Sequence, residues 1–259
     1  MPRYFIQVSY KGTNYSGFQI QKNAITIQSE IEKALKIFFR KDFTLTGSSR
    51  TDAGVHALQN FFHFDVENIS EQLESSKIFS SVKDLEGALY NLNAILPADI
   101  VIKKIFPVSE NAHSRFDAVS REYKYFIYSK KNPFLQDEAY FFPHKIDVNK
   151  LNEAASEILK CQDFTSFSKR NTQVNNFICR IQKSEWYQQD DMIIYNVVGN
   201  RFLRGMVKGL VGTMLNVSSK KISNCGFKKI IENKDAGKAD FTPPAHGLFL
   251  IAVNYNSIK

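Results

Sequence analysis

The hydrophobic residues of this chain change period in a fixed order, and that order occurs twice. Residues 3–10 alternate as a strand does. Ile27, Ile31, Leu35 and Phe38 then fall at helical spacing, and residues 43–46 and 60–66 are two more strand-like runs. Asp84 is placed to cap a second helical stretch carrying Leu85, Leu89 and Leu92, stopped before Pro97, and residues 100–106 close the half as a strand. The order is β-α-β-β-α-β. The second half begins with a tyrosine-rich strand at 121–128 and a helix capped by Asp147 that turns Leu151, Ala154, Ala155, Ile158 and Leu159 inward. Strands at 177–188 and 192–198 follow, turning at Gln189-Asp190-Asp191, then helices over 201–217 and 223–233, and a last strand at 248–254. Units of this kind make an antiparallel sheet with helices on one face. The expected architecture is therefore α+β: two ferredoxin-like halves with antiparallel or mixed sheets flanking a central cleft. Only the element order repeats, not the residue sequence. The boundary is expected near residues 107–111, between an N-terminal subdomain (1–108) and a C-terminal one (109–259).

With 259 residues, 43% of them hydrophobic and 23% charged, the chain has enough apolar material to bury such cores. Its apolar stretches fall far short of the roughly 20 residues a membrane span needs, and its first ten residues lack the apolar centre of a signal peptide. Cys161, Cys179 and Cys225 are too few and too scattered for a disulfide framework or a zinc knuckle. These features point to the cytoplasm. Thirty-four basic against 26 acidic residues leave a charge of +8. Such an excess suits an anionic partner, nucleic acid foremost, although solvated lysine faces produce the same number.

One loop stands out chemically. Gly47-Ser-Ser-Arg50-Thr51-Asp52-Ala53-Gly54-Val55-His56-Ala57 joins two strands and holds a carboxylate two residues from an arginine, between glycines that permit unusual backbone angles. The plainer reading is a tight turn in which Asp52 bonds nearby amides. Arg201, Arg204 and Lys208 are spaced three and four apart, which on the expected helix makes one basic stripe opposite Leu203, Met206, Val207, Leu210 and Met214. Alone, such a stripe is a solvated face. Tyr123 and Tyr125 fall on one face of their strand, suited either to stacking on a base or to the core. The runs Phe61-Phe62-His63-Phe64 and Tyr140-Phe141-Phe142 are expected in the core. His56 and His63 lack metal-ligand spacing, His113, His144 and His246 are isolated, and no phosphate-binding, zinc-protease or serine-nucleophile motif is present. Any reaction here is expected to need neither metal nor cofactor.

Taken together, these residues resemble the tRNA pseudouridine synthase A family. Ser-Ser-Arg50-Thr-Asp52-Ala-Gly-Val-His56-Ala is similar to its catalytic loop, and Tyr10-Lys-Gly-Thr-Asn-Tyr15-Ser-Gly-Phe-Gln19 to its opening motif. Ala112-His-Ser-Arg115-Phe-Asp-Ala118 running into Arg121-Glu-Tyr123-Lys-Tyr125, Asp163-Phe-Thr-Ser-Phe167, Asn200-Arg-Phe-Leu-Arg204-Gly-Met-Val-Lys208 and Thr242-Pro-Pro-Ala-His-Gly247-Leu248 follow in family order. The resemblance implies the pseudouridine synthase fold and isomerisation of uridine at positions 38, 39 and 40 of the tRNA anticodon arm. It also implies a homodimer with tRNA across both subunits, no membrane, no metal and no cofactor. By motif position Asp52 is the nucleophile, Arg50 stands beside it to hold the flipped nucleotide, Tyr123 lies against the base and Leu248 walls the pocket.

There are departures. Lys208 stands where the family more often pairs an arginine with the aspartate, which keeps the charge but loses the bidentate fork. Arg204 is the substitute one turn earlier, and Arg201 adds to the basic, substrate-binding surface. Lys11, Phe18 and Ser49 replace the family's usual aspartate, tryptophan and glycine. Two rival readings are a non-catalytic tRNA-binding or folding protein on a degenerate site, and a metal-dependent nuclease using Asp52 and Asp65. The nuclease needs two carboxylates at metal distance, and a strand's length separates these.

Overall fold

A computed structural model describes residues 1–66, 82–170 and 174–256. The chain forms two compact units. It leaves the first between Val119 and Ser120 and re-enters it between Ala252 and Val253.

The first unit contains β1 (Arg3–Tyr10), α1 (Ile27–Phe39), β2 (Thr46–Gly47), β3 (His56–Asp65), α2 (Val82–Ile95) and β4 (Ile100–Val108). β1 lies between β3 and β4, β2 pairs with β3, and all three pairings are antiparallel. Thr26 starts α1 by accepting from the Ser29 N–H while the Ser29 hydroxyl accepts from the Thr26 N–H, and Arg40 ends it in the left-handed conformation. Ile27, Ile31, Ala34 and Leu35 turn inward, and Ile6 and Val8 of β1 are fully buried. Full burial of each such side chain is worth about 1.5–3 kcal/mol.

Two expectations fail in this unit. The strand at 43–46 is absent, and pairing is confined to Thr46 and Gly47. Leu45 is bound instead by side chains of α1: its N–H donates to Glu32 Oε1 (2.9 Å), and its carbonyl accepts from Gln28 Nε2 (2.9 Å). With those groups taken, no ladder forms there. Asp84 does not cap α2, which already runs from Val82.

The second unit holds most of β5 (Ala118–Tyr128), then β6 (Tyr140–Phe141), α3 (Val148–Leu159), β7 (Ile181–Gln189), β8 (Met192–Gly199), α4 (Met206–Ser218), α5 (Asn224–Glu232) and most of β9 (Leu248–Tyr255). β5 pairs antiparallel with β8 and parallel with β6, β8 carries β7 on its far side, and β9 lies beside β5. The described residues thus form a mixed α/β protein of nine strands and five helices. Asp147 caps α3 as expected, accepting from the Lys150 N–H at 3.2 Å. Trp186 stacks on Tyr195 at 4.8 Å in the core.

The helix expected over 201–217 begins only at Met206. Residues 201–203 are non-helical and Gly205 stands before the first turn at φ +72°. The basic stripe therefore dissolves: Lys208 is helical, while Arg201 and Arg204 precede the helix. Nor is α4 two-faced, since it is buried almost all round. Likewise β7 starts at Ile181, and the strand-type pairing before it, among the described residues, is an isolated bridge between Asp163 and Ile178. Phe61, Phe62 and Phe64 are buried as expected, whereas Phe141 is exposed and Tyr140 and Phe142 are only half-buried. All three cysteines are free thiols.

Candidate active site

In the first unit the loop between β2 and β3 alternates between inward and outward residues. Ser49 and Thr51 are buried, Arg50 is exposed and Asp52 is half-exposed. The inward residues are anchored. Thr51 Oγ1 hydrogen-bonds the buried Tyr10 hydroxyl at 2.8 Å, and its carbonyl accepts from the Phe18 N–H at 3.1 Å. The Ser49 carbonyl accepts from Asn60 Nδ2 at 2.8 Å, and the same nitrogen donates to the Tyr10 oxygen at 3.1 Å. The Val55 N–H closes the turn onto the Asp52 carbonyl at 3.2 Å, helped by Gly54 at φ +78°.

The opening motif presses against this loop. A Cβ on Gly12 would sit 2.0 Å from the Val55 carbonyl oxygen, so only glycine lets the two backbones meet. The Gly12 N–H donates to His56 Nδ1 at 3.0 Å, which leaves the ring proton of a neutral His56 on Nε2. Phe18 stacks on Phe62 at 4.3 Å beneath the loop. Sequence reasoning assigned no role to Asn60, a single asparagine within a strand, and weighed His56 only as a metal ligand. Asp65 lies at the far end of β3, where Arg3 holds it through two hydrogen bonds of 2.7 and 2.8 Å. That pairing holds its carboxyl below the usual carboxylate range.

On the same strand, His63 Nδ1 accepts from the Ser114 N–H (3.2 Å) and contacts its hydroxyl (2.8 Å), which in turn reaches the Thr46 carbonyl. Burial, then the charges of Arg3 and His113, push the His63 pKa down to about 4, so its ring is neutral near pH 7.

In the second unit, Asn200 fixes the segment that carries the cations. Its Oδ1 accepts from the Arg180 N–H (2.7 Å), its N–H donates to the Arg180 carbonyl (3.0 Å), and its own carbonyl accepts from Arg121 Nη1 (2.7 Å). Four residues on, the Arg204 carbonyl accepts from the Lys169 N–H at 3.0 Å. Between these anchors Phe202 meets the ring of Tyr123 edge-on at 5.0 Å. Tyr123 is 8% exposed and opposes Val197 on β8. Tyr125 is a core residue: fully buried, its hydroxyl donates to the Pro244 carbonyl at 2.8 Å, and burial raises its pKa. Arg204 is exposed, Arg201 and Lys208 are half-buried, and Leu248 is buried at the start of β9.

Close packing also governs this half. A Cβ on Gly212 would lie 2.3 Å from the Asp240 carbonyl oxygen. Asp240 accepts from Asn216 Nδ2 and from the Thr242 N–H, and its own N–H donates to Thr213 Oγ1, which ties the segment before β9 to α4. Among the described residues, no three His, Cys, Asp or Glu side chains are grouped to hold a metal ion. No described helix is long and apolar enough to cross a membrane.

So the first unit brings Arg50 and Asp52 onto one pinned loop, and the second brings Tyr123, Leu248 and the three cations into one unit. Comparison with known proteins identifies the family of the chain as a whole. A family model described as tRNA pseudouridine synthase matches residues 6–117 and 154–256. The chain is 42% identical over 255 residues to a protein named tRNA pseudouridine synthase A from Azobacteroides pseudotrichonymphae, covering 98% of this chain and 97% of that one. It is 43% identical over 254 residues to the Bacteroides fragilis protein of the same name (98% and 96% covered), and 34% identical over 251 residues to one from Staphylococcus aureus (96% and 89%). Matching along almost its whole length, the chain belongs to the tRNA pseudouridine synthase family.

Proposed function

We propose that this protein is an isomerase that converts uridine to pseudouridine at positions 38, 39 and 40 in the anticodon stem-loop of tRNA, without metal or cofactor. Asp52 is the nucleophile. Arg50 beside it holds the flipped nucleotide, and Lys208, or Arg204 in its stead, supplies the cation paired with the carboxylate. Tyr123 and Leu248 confine the base, and Arg201 with Arg204 binds the RNA backbone. The reading extends to two ferredoxin-like halves flanking a catalytic cleft, an N-terminal subdomain (1–108) carrying the aspartate loop and a C-terminal one (109–259), and to a cytoplasmic homodimer.

The reaction breaks the bond from ribose C1′ to N1 and remakes it from C1′ to C5. The C5 proton departs, and N1 gains one. The freed base must turn without escaping, which calls for an ionised carboxylate, a cation and an apolar wall. The target must first leave its stack, at a cost of a few kcal/mol, offset by phosphate contacts with the basic surface. The observation that carries the reading is the alternation at residues 49–52, which anchors two residues inward and projects Arg50 and Asp52 outward.

The test is pseudouridine mapping on an unmodified tRNA transcript with uridines at 38–40, incubated with the protein in EDTA. Pseudouridine is expected at those positions, with Lys208→Ala slowing its formation strongly. A tRNA that binds but stays unmodified would leave the non-catalytic binding protein as the better account. Activity lost in EDTA and restored by a divalent ion would overturn the metal-free mechanism. If Arg204→Ala slows the reaction far more than Lys208→Ala, the paired cation is Arg204.

A further inference from the structure

Three buried polar groups behind the aspartate loop ask for a role that packing does not supply. Asn60 is completely buried, and Tyr10 and Thr51 nearly so. Burying an amide and two hydroxyls costs free energy unless each is hydrogen-bonded, and apolar side chains of the same size would fill the space without that demand.

The amide has a definite orientation. The Asn60 side-chain oxygen accepts from the Phe61 N–H at 2.9 Å, and its nitrogen faces the Ser49 carbonyl, which can only accept. This fixes the orientation of the amide. Its nitrogen therefore also donates to the Tyr10 oxygen, and the Tyr10 hydroxyl is hydrogen-bonded in turn to Thr51 Oγ1 at 2.8 Å. One asparagine thus holds the residue before Arg50 directly and the residue between Arg50 and Asp52 through Tyr10.

We infer that Asn60, Tyr10 and Thr51 form a positioning relay, a chain of buried hydrogen bonds that sets the angle at which Arg50 and Asp52 are presented to the flipped nucleotide. The inference rests on the proposed role of Asp52. It assigns Tyr10 and Thr51 to orientation of the reacting groups, and neither touches substrate. Small misplacements of a reacting group cost far more in rate than in binding, so the relay should act on kcat and leave tRNA affinity alone.

The experiment compares Tyr10→Phe, Thr51→Val and Thr51→Ser with wild type and Asp52→Ala, all as the full chain. It measures single-turnover pseudouridine formation, tRNA Kd and thermal midpoint. Tyr10→Phe removes one oxygen and keeps the ring. The expected result is a kcat at least about tenfold lower for Tyr10→Phe and Thr51→Val, with Kd within about twofold. Thr51→Ser, which keeps the hydroxyl, should stay near wild type. Because both substitutions break the same bond, the double variant Tyr10→Phe/Thr51→Val should be scarcely slower than either single one.

Full kcat in Tyr10→Phe, with wild type active and Asp52→Ala dead, overturns the relay alone. A loss in Tyr10→Phe that appears in Kd or only as unfolding also overturns it, because the hydroxyl then serves binding or stability. If Thr51→Val fails to fold, Tyr10→Phe decides by the same criteria. A wild-type protein that forms no pseudouridine overturns the proposed function and the relay together.

Discussion

The aspartate loop of the first unit and the cation segment of the second are held by different means. The loop at 49–56 is fixed by buried polar bonds: Asn60 to Ser49 and Tyr10, Tyr10 to Thr51, Gly12 to His56. The segment at 200–208 is fixed at its ends by Asn200 and by the Arg204 carbonyl, and then runs into α4, whose near-complete apolar burial does the rest. A buried polar network fixes angles at the cost of sensitivity to charge, whereas apolar packing fixes position and tolerates a change of pH. That contrast suits their proposed tasks, since a nucleophile must point accurately and a phosphate-binding cation need only be near.

The contrast breaks most severely at Gly12. In Gly12→Ala the new methyl carbon would overlap a backbone oxygen, and backbone on both sides must move. The expected loss is about 4 kcal/mol or more, a fall of roughly 8–16 °C in thermal midpoint, together with loss of pseudouridine formation. A midpoint within a few degrees of wild type would mean that the opening motif does not clamp the loop.

Acid is the next lever. His63 is neutral in the fold, with its pKa lowered to about 4 against roughly 6.5 when unfolded. As pH falls, the unfolded chain takes up the proton first. The contribution is therefore complete above pH 6.5, is lost progressively toward pH 4 and is absent below it. Its size is about 3 kcal/mol at most. Arg3 and His113 face the ring and oppose its protonation, and Asp65 and Asp117 favour it less strongly. Hydrogen exchange measured from pH 7 down to 4.5 should show β3 losing protection well before α4. An NMR titration of the His63 ring centred near 6.5, or equal losses in both elements, would erase the distinction.

The mildest test lies at Gly205. Its left-handed conformation penalises alanine, and the three atoms nearest the added carbon all belong to the Lys169 side chain, Cγ at 2.9 Å, with no backbone among them. Gly205→Ala should cost about 1–2 kcal/mol, or roughly 2–8 °C, with activity largely kept. A loss as large as that at Gly12 would mean that the cation segment is fixed just as tightly.

Local rules carried much of this architecture. Asp147 announces its helix because a capping side chain acts on an amide three residues away. The Arg50-Thr51-Asp52 triplet between glycines was legible as a candidate site for the same reason, its residue types lying within a few positions of one another. The start of α4 was not, since Arg201, Arg204 and Lys208 keep perfect helical spacing across a glycine whose left-handed angle no spacing reveals. Nor was Leu45, whose main chain is satisfied by Gln28 and Glu32. Asn60 was invisible because its partners lie 11 and 50 residues away. Likewise, nothing in the alternation at 248–254 announces that Val253 to Tyr255 return to the first unit, where the Tyr255 hydroxyl donates to the Ser114 carbonyl.

The central claim is that the pinned loop presents Asp52 as the nucleophile, and one comparison addresses it directly. Wild type and Asp52→Ala, each at saturating concentration over an unmodified tRNA, are followed through a single turnover for pseudouridine at 38–40, with tRNA binding measured in parallel. The account requires conversion by wild type, none by Asp52→Ala, and comparable binding by both. Pseudouridine formed by Asp52→Ala at a rate within about tenfold of wild type would contradict it.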